Sequence, residues 1–169
     1  MALLKHHALV RTKWHVECIR QGDKVWEVNA DNVVTMEAID KLLMTMFKED
    51  TQISNWHVVL SESGTASQAN TYVSKGFTEC TAYTSLTRPA WAMGSAASGQ
   101  MSNSGTKATF TISDTKTIYG AALVGGGTAG SVKNDTADGG ILYGYANFPD
   151  PKAVVATDVL NVTVTASAT

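Results

Sequence analysis

Hydrophobic and polar residues alternate along several short segments of the chain, and this period of two is typical of β-strands. The apolar residues of segment 13–20 fall on one face, a turn signal follows at residues 21–23, and segment 24–28 returns as the second strand of a hairpin. Further strands are predicted at segments 56–60, 81–86, 107–112, 117–124, 140–148 and 158–166.

One segment has a helical period instead. Its apolar residues recur every three or four positions and form a single stripe, made of Met36, Ile39, Leu43, Met46 and Phe47. Thr35 is suited to cap the first turn, and Lys48 lies in the last turn. We therefore predict one α-helix near residues 35–48.

About eight short strands separated by Gly- and Ser-rich turns, with one helix, are typical of a sandwich or barrel. A parallel α/β fold would need a helix after most strands. The predicted fold class is therefore mainly β, an antiparallel β-sandwich with one inserted α-helix. We assign residues 13–169 to a single sandwich domain and residues 1–12 to an N-terminal arm. Residues 94–106 are too small and polar to form a core element.

Charge is sparse and unevenly placed. Charged residues make up 17% of the chain, against about 25% in ordinary soluble domains. Residues 1–88 hold 19 of the 28 charged residues, and no arginine follows Arg88. The net charge of −2 provides no long-range field for gathering nucleic acid, so no direct nucleic-acid partner is expected. A surface of small polar side chains costs little to desolvate, which favours burial in an interface.

The two cysteines, Cys18 and Cys80, make neither a metal site nor a disulfide framework. No apolar run is long enough for a signal peptide or a membrane span. We therefore expect a chain made in a reducing cytoplasm, with no membrane partner.

The search for chemistry leaves no candidate catalytic, cofactor or metal residue. The glycine-rich segment 125–130 lacks the Gly-Lys-Ser/Thr of a phosphate-binding loop, and no histidine has metal-ligand spacing. The Gly-x-Ser-x-Gly motif is also absent. We expect a protein that is not an enzyme. A hydrolase with a carboxylate pair drawn from the 15 acidic residues stays open as an alternative.

Trp91 is the main candidate for an interface anchor, because it precedes the Gly- and Ser-rich stretch, where a core is hard to build. Basic residues in the N-terminal stretch are suited to an acidic partner, or else form an ordinary solvated edge. The remaining interface candidates are Arg88, Lys5, Arg11 and Lys13. In an alternative interpretation, Trp91 and the tyrosines of segment 140–148 stack on a glycan.

Several segments, in order, resemble a group of small structural proteins of tailed bacteriophages. They include Arg88-Pro89-Ala90-Trp91, Asn103-Ser104, Ala108-x-Phe110-x-Ile112 and the run from Val154 to Thr165. The resemblance implies a jelly-roll-like capsid decoration (cement) protein on the surface of the virion, made in the host cytoplasm. Its implied partners are the major capsid protein and further copies of itself, as a dimer or trimer. A receptor- or glycan-binding module of a tail or fibre is the alternative that the resemblance leaves open.

Overall fold

Strands dominate the computed structural model, which describes residues 10–129, 132–137 and 139–168. A single helix, α1 (Met36–Phe47), lies among the described residues. The strands are β1 (Val10–Arg20), β2 (Asp23–Val34), β3 (Trp56–Gly64), β4 (Phe77–Cys80), β5 (Gln100–Ser102), β6 (Ala108–Thr111), β7 (Lys116–Gly125), β8 (Ile141–Val154) and β9 (Val159–Ala168).

The strands pair in the order β4-β3-β7-β8-β2-β1-β9-β5, and β6 also pairs with β9. Every pairing is antiparallel. Strand β2 belongs to two layers, because residues 23–31 pair with β1 and residues 32–34 pair with β8. The first layer holds β1, β9, β5 and β6, and the second holds β3, β4, β7 and β8. The predicted class, an antiparallel β-sandwich with one helix, is confirmed.

The alternation seen in the sequence places one face of each first-layer strand in the core. Trp14 and Val16 of β1 pair with Val164 and Val162 of β9, and all four are buried in one cluster with Leu60 of β3. Antiparallel sheets commonly bury one face and expose the other, and the first layer follows this rule.

The second layer is covered on both faces. Its outer face packs under the chain between β3 and β4 and the chain between β7 and β8, in a second cluster that includes Val59, Tyr72, Val124 and Leu142. Strands that are buried on both faces carry continuous apolar runs. This explains the unbroken run of buried residues 58–60 in β3.

Several predicted boundaries differ from the structure. Strands β2 and β8 each run six residues beyond the predicted segments 24–28 and 140–148. The predicted strand at residues 81–86 is wrong, because only Tyr83 makes a β-bridge there, and the Ser85 hydroxyl donates to the Thr87 carbonyl in a turn. The actual strand, β4, lies just before that segment. At the N-terminus, β1 begins at Val10, within the predicted arm of residues 1–12. Residues 1–9 of that arm lie outside the described residues.

Candidate functional site

Trp91, the predicted interface anchor, lies inside the sandwich. Its side chain is 5% exposed, and the indole Nε1 donates to the Val164 carbonyl at 3.1 Å. The extended segment after Pro89 runs beside β3, and the Val58 amide donates to the Pro89 carbonyl at 2.9 Å. Because of this pairing, Trp91 lies in the core. The prediction that it is exposed, which relied on the small residues that follow it, does not match its position.

Arg88 is also buried, at 1% exposure. Its guanidinium donates to both carboxylate oxygens of Glu79, at 2.9 and 2.6 Å, and to the Tyr72 hydroxyl at 2.7 Å. It also donates to the carbonyls of Ala129 and Asp135. Every donor group of this side chain therefore has a partner within the chain, and the residue presents no surface to another molecule.

The charges around Arg88 form a balanced buried network. Burial opposes the charged guanidinium, but the hydrogen bonds and the negative charge of Glu79 outweigh it and raise the pKa of Arg88. Lys75 donates to Glu79 at 3.1 Å, and burial lowers the pKa of Lys75. The Thr128 hydroxyl, which donates to Asp135, lowers the pKa of that carboxyl. The network joins the two covering segments of the second layer, which gives it a structural role.

Of the basic N-terminal candidates, Arg11 and Lys13 lie exposed on β1, on either side of the buried Thr12. Neither takes part in an ion pair with another described residue. Lys5 lies outside the described residues. The structure thus brings two of the five interface candidates to one exposed strand face and places two others in the interior.

The tyrosines of the glycan-binding alternative do not form an open platform. Tyr145 is buried, and its hydroxyl hydrogen-bonds Ser61 at 3.1 Å. Tyr143 is half-buried and packs edge-on against Trp56, with ring centroids 5.7 Å apart. Together with the buried Trp91, these rings leave no exposed stacking surface at the predicted positions.

Among the described residues, no group of three or more His, Cys, Asp or Glu side chains is placed to hold a metal ion. Glu79 and Asp158, the carboxylates that are buried in the described part of the chain, are engaged by Arg88 and Arg20 respectively. No helix within the described ranges is long and apolar enough to cross a membrane.

An exposed apolar surface lies on α1, which bears six of the twelve exposed large apolar side chains of the described residues. An amphipathic helix normally turns its apolar stripe toward the core, yet Ala38 is the only buried residue of α1. Met36, Leu43, Met46 and Phe47, from the predicted stripe, are 49%, 48%, 69% and 77% exposed. We call the six exposed large apolar side chains of the helix its outer face: Met36, Leu42, Leu43, Met44, Met46 and Phe47.

The first turn of α1 is held firmly to the sandwich. Thr35 is the N-cap, and its hydroxyl oxygen accepts from the Ala38 amide at 3.2 Å. The Glu37 carboxylate accepts from the backbone amides of Tyr72 and Leu142, at 2.9 and 2.7 Å. Near the other end, Lys41 pairs with Asp50 at 2.7 Å. These contacts fix the direction of the helix, so its outer face is displayed in a defined orientation.

Two apolar grooves flank the helix. The edge groove, of about 660 Å³, lies between α1 and the segments where β1 begins and β2 ends. Its lining is mostly apolar, with Val33, Val34, Ile39, Leu42, Leu43 and Tyr143, and also includes the polar residues Arg11, Asp31 and Gln68. The inner cleft, of about 300 Å³, lies between the helix and the core. Leu42, at the margin of the outer face, lines it together with Trp56, Trp91, Met93, Met101 and Tyr143. Small and polar residues on the inner side of the helix, Ala38 and Thr45, leave this space.

Interpretation of the sequence alone did not identify the outer face as a surface. The apolar stripe was visible, but periodicity does not say which side of a helix meets the sandwich. The sequence feature that indicates this orientation is the opposite side of the helix, where the small or polar residues Ala38, Lys41 and Thr45 lie.

No protein-family model matches the chain, and no curated protein or solved structure is significantly similar to it.

Proposed function

We propose that the protein is a virion structural component, a capsid decoration protein that stabilises the phage head by binding the major capsid protein. The observation that supports an assembly role is the exposed outer face of α1. The phage head as the location of that assembly follows from the sequence resemblance. No catalytic chemistry enters this proposal.

The size of the outer face supports this role. If Leu and Met are treated as similar in size to Phe, at about 200 Å² when fully exposed, the exposed fractions of the six residues amount to an area on the order of 600 Å². The largest apolar patch of a typical monomer is about 300–600 Å² and is often functional. Covering such an area contributes about 15 kcal/mol before the costs of association are subtracted.

The position of the outer face also supports it. The apolar side chains are borne on a helix whose first turn is locked by Thr35 and Glu37. A rigid helix face loses little entropy on binding, which favours affinity. Arg11 and Lys13 on β1 add an exposed basic pair suited to acidic groups on a shell protein.

The test is binding to shells assembled from the major capsid protein of the same phage. Bound protein should co-sediment with the shells and raise the temperature at which they disrupt. Leu43→Glu should weaken binding at least tenfold, whether the outer face contacts the shell directly or joins copies that bind together. The matched control is Leu86→Glu, which alters a highly exposed leucine outside α1 and should bind normally. Wild-type protein that neither binds nor stabilises shells would refute the proposal.

A further inference from the structure

We infer that two copies of the protein pair through the outer face of α1. The two helices lie antiparallel about a two-fold axis near Leu43, and Phe47 of each copy enters the edge groove of the other. This inference rests on the proposed function, because it names the first partner of an assembly protein. It makes the free building block a dimer.

The area of the outer face fits a dimer interface. A standard interface buries about 800 Å² on each partner, and the outer face alone supplies on the order of 600 Å² of apolar surface. In a two-fold interface both copies contribute the same surface patch. One apolar surface on the chain is therefore enough to form both sides of the interface. Residues that line the edge groove outside the outer face, such as Val33 and Ile39, add to this area.

Phe47 and the edge groove are complementary in shape and polarity, because one is a protruding apolar side chain and the other a mostly apolar recess. Phe47 is the most exposed of the large apolar side chains on α1, at 77%, and buried aromatic anchors dominate interface energetics. The edge groove has a mostly apolar lining that includes Val33, Ile39 and Leu43, although Arg11 and Asp31 also line it. A protruding ring and an apolar recess on one surface are what a self-complementary interface requires.

Their positions along the helix select the antiparallel arrangement. Phe47 is in the last turn, whereas Ile39 lies eight residues earlier, about 12 Å along the axis at 1.5 Å per residue. In an antiparallel pair centred on Leu43, Phe47 of one copy lies opposite Ile39 of the second copy, beside its edge groove. A parallel pair would instead set the two Phe47 rings against each other and leave both grooves empty.

Charge and helix dipoles favour the same arrangement. Asp40 and Lys48 are both exposed, and the antiparallel pair brings Asp40 of one copy toward Lys48 of the other. Antiparallel dipoles also attract, since opposite partial charges lie side by side. Glu49, next to Lys48, also comes near Asp40 of the other copy, and its negative charge offsets part of the attraction between Asp40 and Lys48. The apolar contacts therefore dominate, and pairing should depend only weakly on salt.

The first experiment measures the mass of the purified full-length chain by light scattering and sedimentation over a range of concentrations. Wild-type protein should have twice the 17.9 kDa mass of the chain. Leu43→Glu and Phe47→Glu should each weaken pairing at least a hundredfold and give monomers with unchanged circular dichroism. Leu86→Glu, the control, should remain dimeric. A monomeric or trimeric wild type, or a Phe47→Glu protein that dimerises normally, would overturn the inference.

The second experiment tests the direction of pairing by disulfide cross-linking. The native thiols, Cys18 and Cys80, are both buried, so they do not interfere. Leu43→Cys lies at the two-fold axis and should cross-link on mild oxidation. Met36→Cys should not, because the two Met36 positions of an antiparallel pair are about 21 Å apart along the axis. Efficient cross-linking at residue 36, or none at residue 43, would overturn the antiparallel geometry.

The two proposals fail separately. A wild-type monomer that still binds shells would end the pairing inference and leave the decoration role intact. A wild-type dimer that does not bind shells would refute the decoration role and leave the pairing inference intact.

Discussion

Replacing Arg88 with Met removes the positive centre of the buried network but keeps the length of an unbranched side chain. The Glu79 carboxylate then loses two hydrogen bonds, at 2.9 and 2.6 Å, and has only the Lys75 ammonium at 3.1 Å. The Tyr72 hydroxyl and the Ala129 carbonyl also lose a partner. Because Glu79 has no solvent exposure, water does not replace these bonds.

Breaking a buried ion pair by removing one partner costs about 3–5 kcal/mol. Lys75 keeps one counter-charge beside Glu79 in this variant, so we expect a loss of about 3 kcal/mol, at the lower end of that range. For a domain of this size, a loss of 1 kcal/mol lowers Tm by about 2–4 °C. We therefore expect Arg88→Met to lower Tm by about 10 °C.

The assay is urea denaturation with a thermal melt, monitored by circular dichroism and tryptophan fluorescence. Lys24→Met serves as control, because the Lys24–Glu27 pair is half exposed and such surface pairs contribute little to stability. Arg88→Met combined with Glu79→Met should cost less than the sum of the two single changes. Glu79→Met alone leaves both Arg88 and Lys75 without their carboxylate, whereas the double variant leaves only Lys75 without it. A loss below about 1 kcal/mol for Arg88→Met would refute the network's role.

Three further predictions concern other contacts. Glu37→Ala leaves the Tyr72 and Leu142 amides without their acceptor, so it should destabilise the fold by about 2–4 kcal/mol in urea titration, and equal stability would contradict this. Gly120→Ala brings a Cβ to 2.5 Å from the Ala146 carbonyl oxygen, so we expect a loss of at least about 2 kcal/mol in the same titration, and a wild-type midpoint would count against the close packing. The hydrogen bond from Arg20 lowers the pKa of Asp158 below its usual 3.8, against the effect of burial; this stabilisation is therefore complete above that value and lost as pH falls through the lowered folded pKa. Stability of Asp158→Asn should accordingly vary less with acidification below pH 4 than that of the wild type, and parallel curves would exclude this contribution.

Most of the fold could be predicted from sequence because its signals are local. Strict alternation in β1 and β9 and helical spacing in α1 place these elements within a few residues of their actual bounds. β4 and β5 escaped prediction because they are short and neither has two apolar residues at a spacing of two. The similarly short β6 was predicted because Ala108 and Phe110 alternate with threonines. The pairing of β4 and β5 depends on β3 and β9, which lie far away along the chain.

The candidate surface was less accessible to prediction for a related reason. Whether Arg88 and Trp91 are exposed depends on partners distant in sequence, such as Ala129 and Val164. Exposure of the apolar stripe on α1 is likewise decided by how the helix lies on the sandwich, which its own period does not encode. The type of a residue, such as arginine or tryptophan, therefore did not predict whether its side chain lies at the surface.

The shared strand β2 has a mechanical consequence. Its residues are hydrogen-bonded first to β1 and then to β8, and α1 begins two residues after the strand ends. The two layers cannot separate without breaking this strand's pairing, so under a pulling force the sandwich should give way in one step. Because α1 follows directly after β2, a force applied to the helix would be transmitted to both layers.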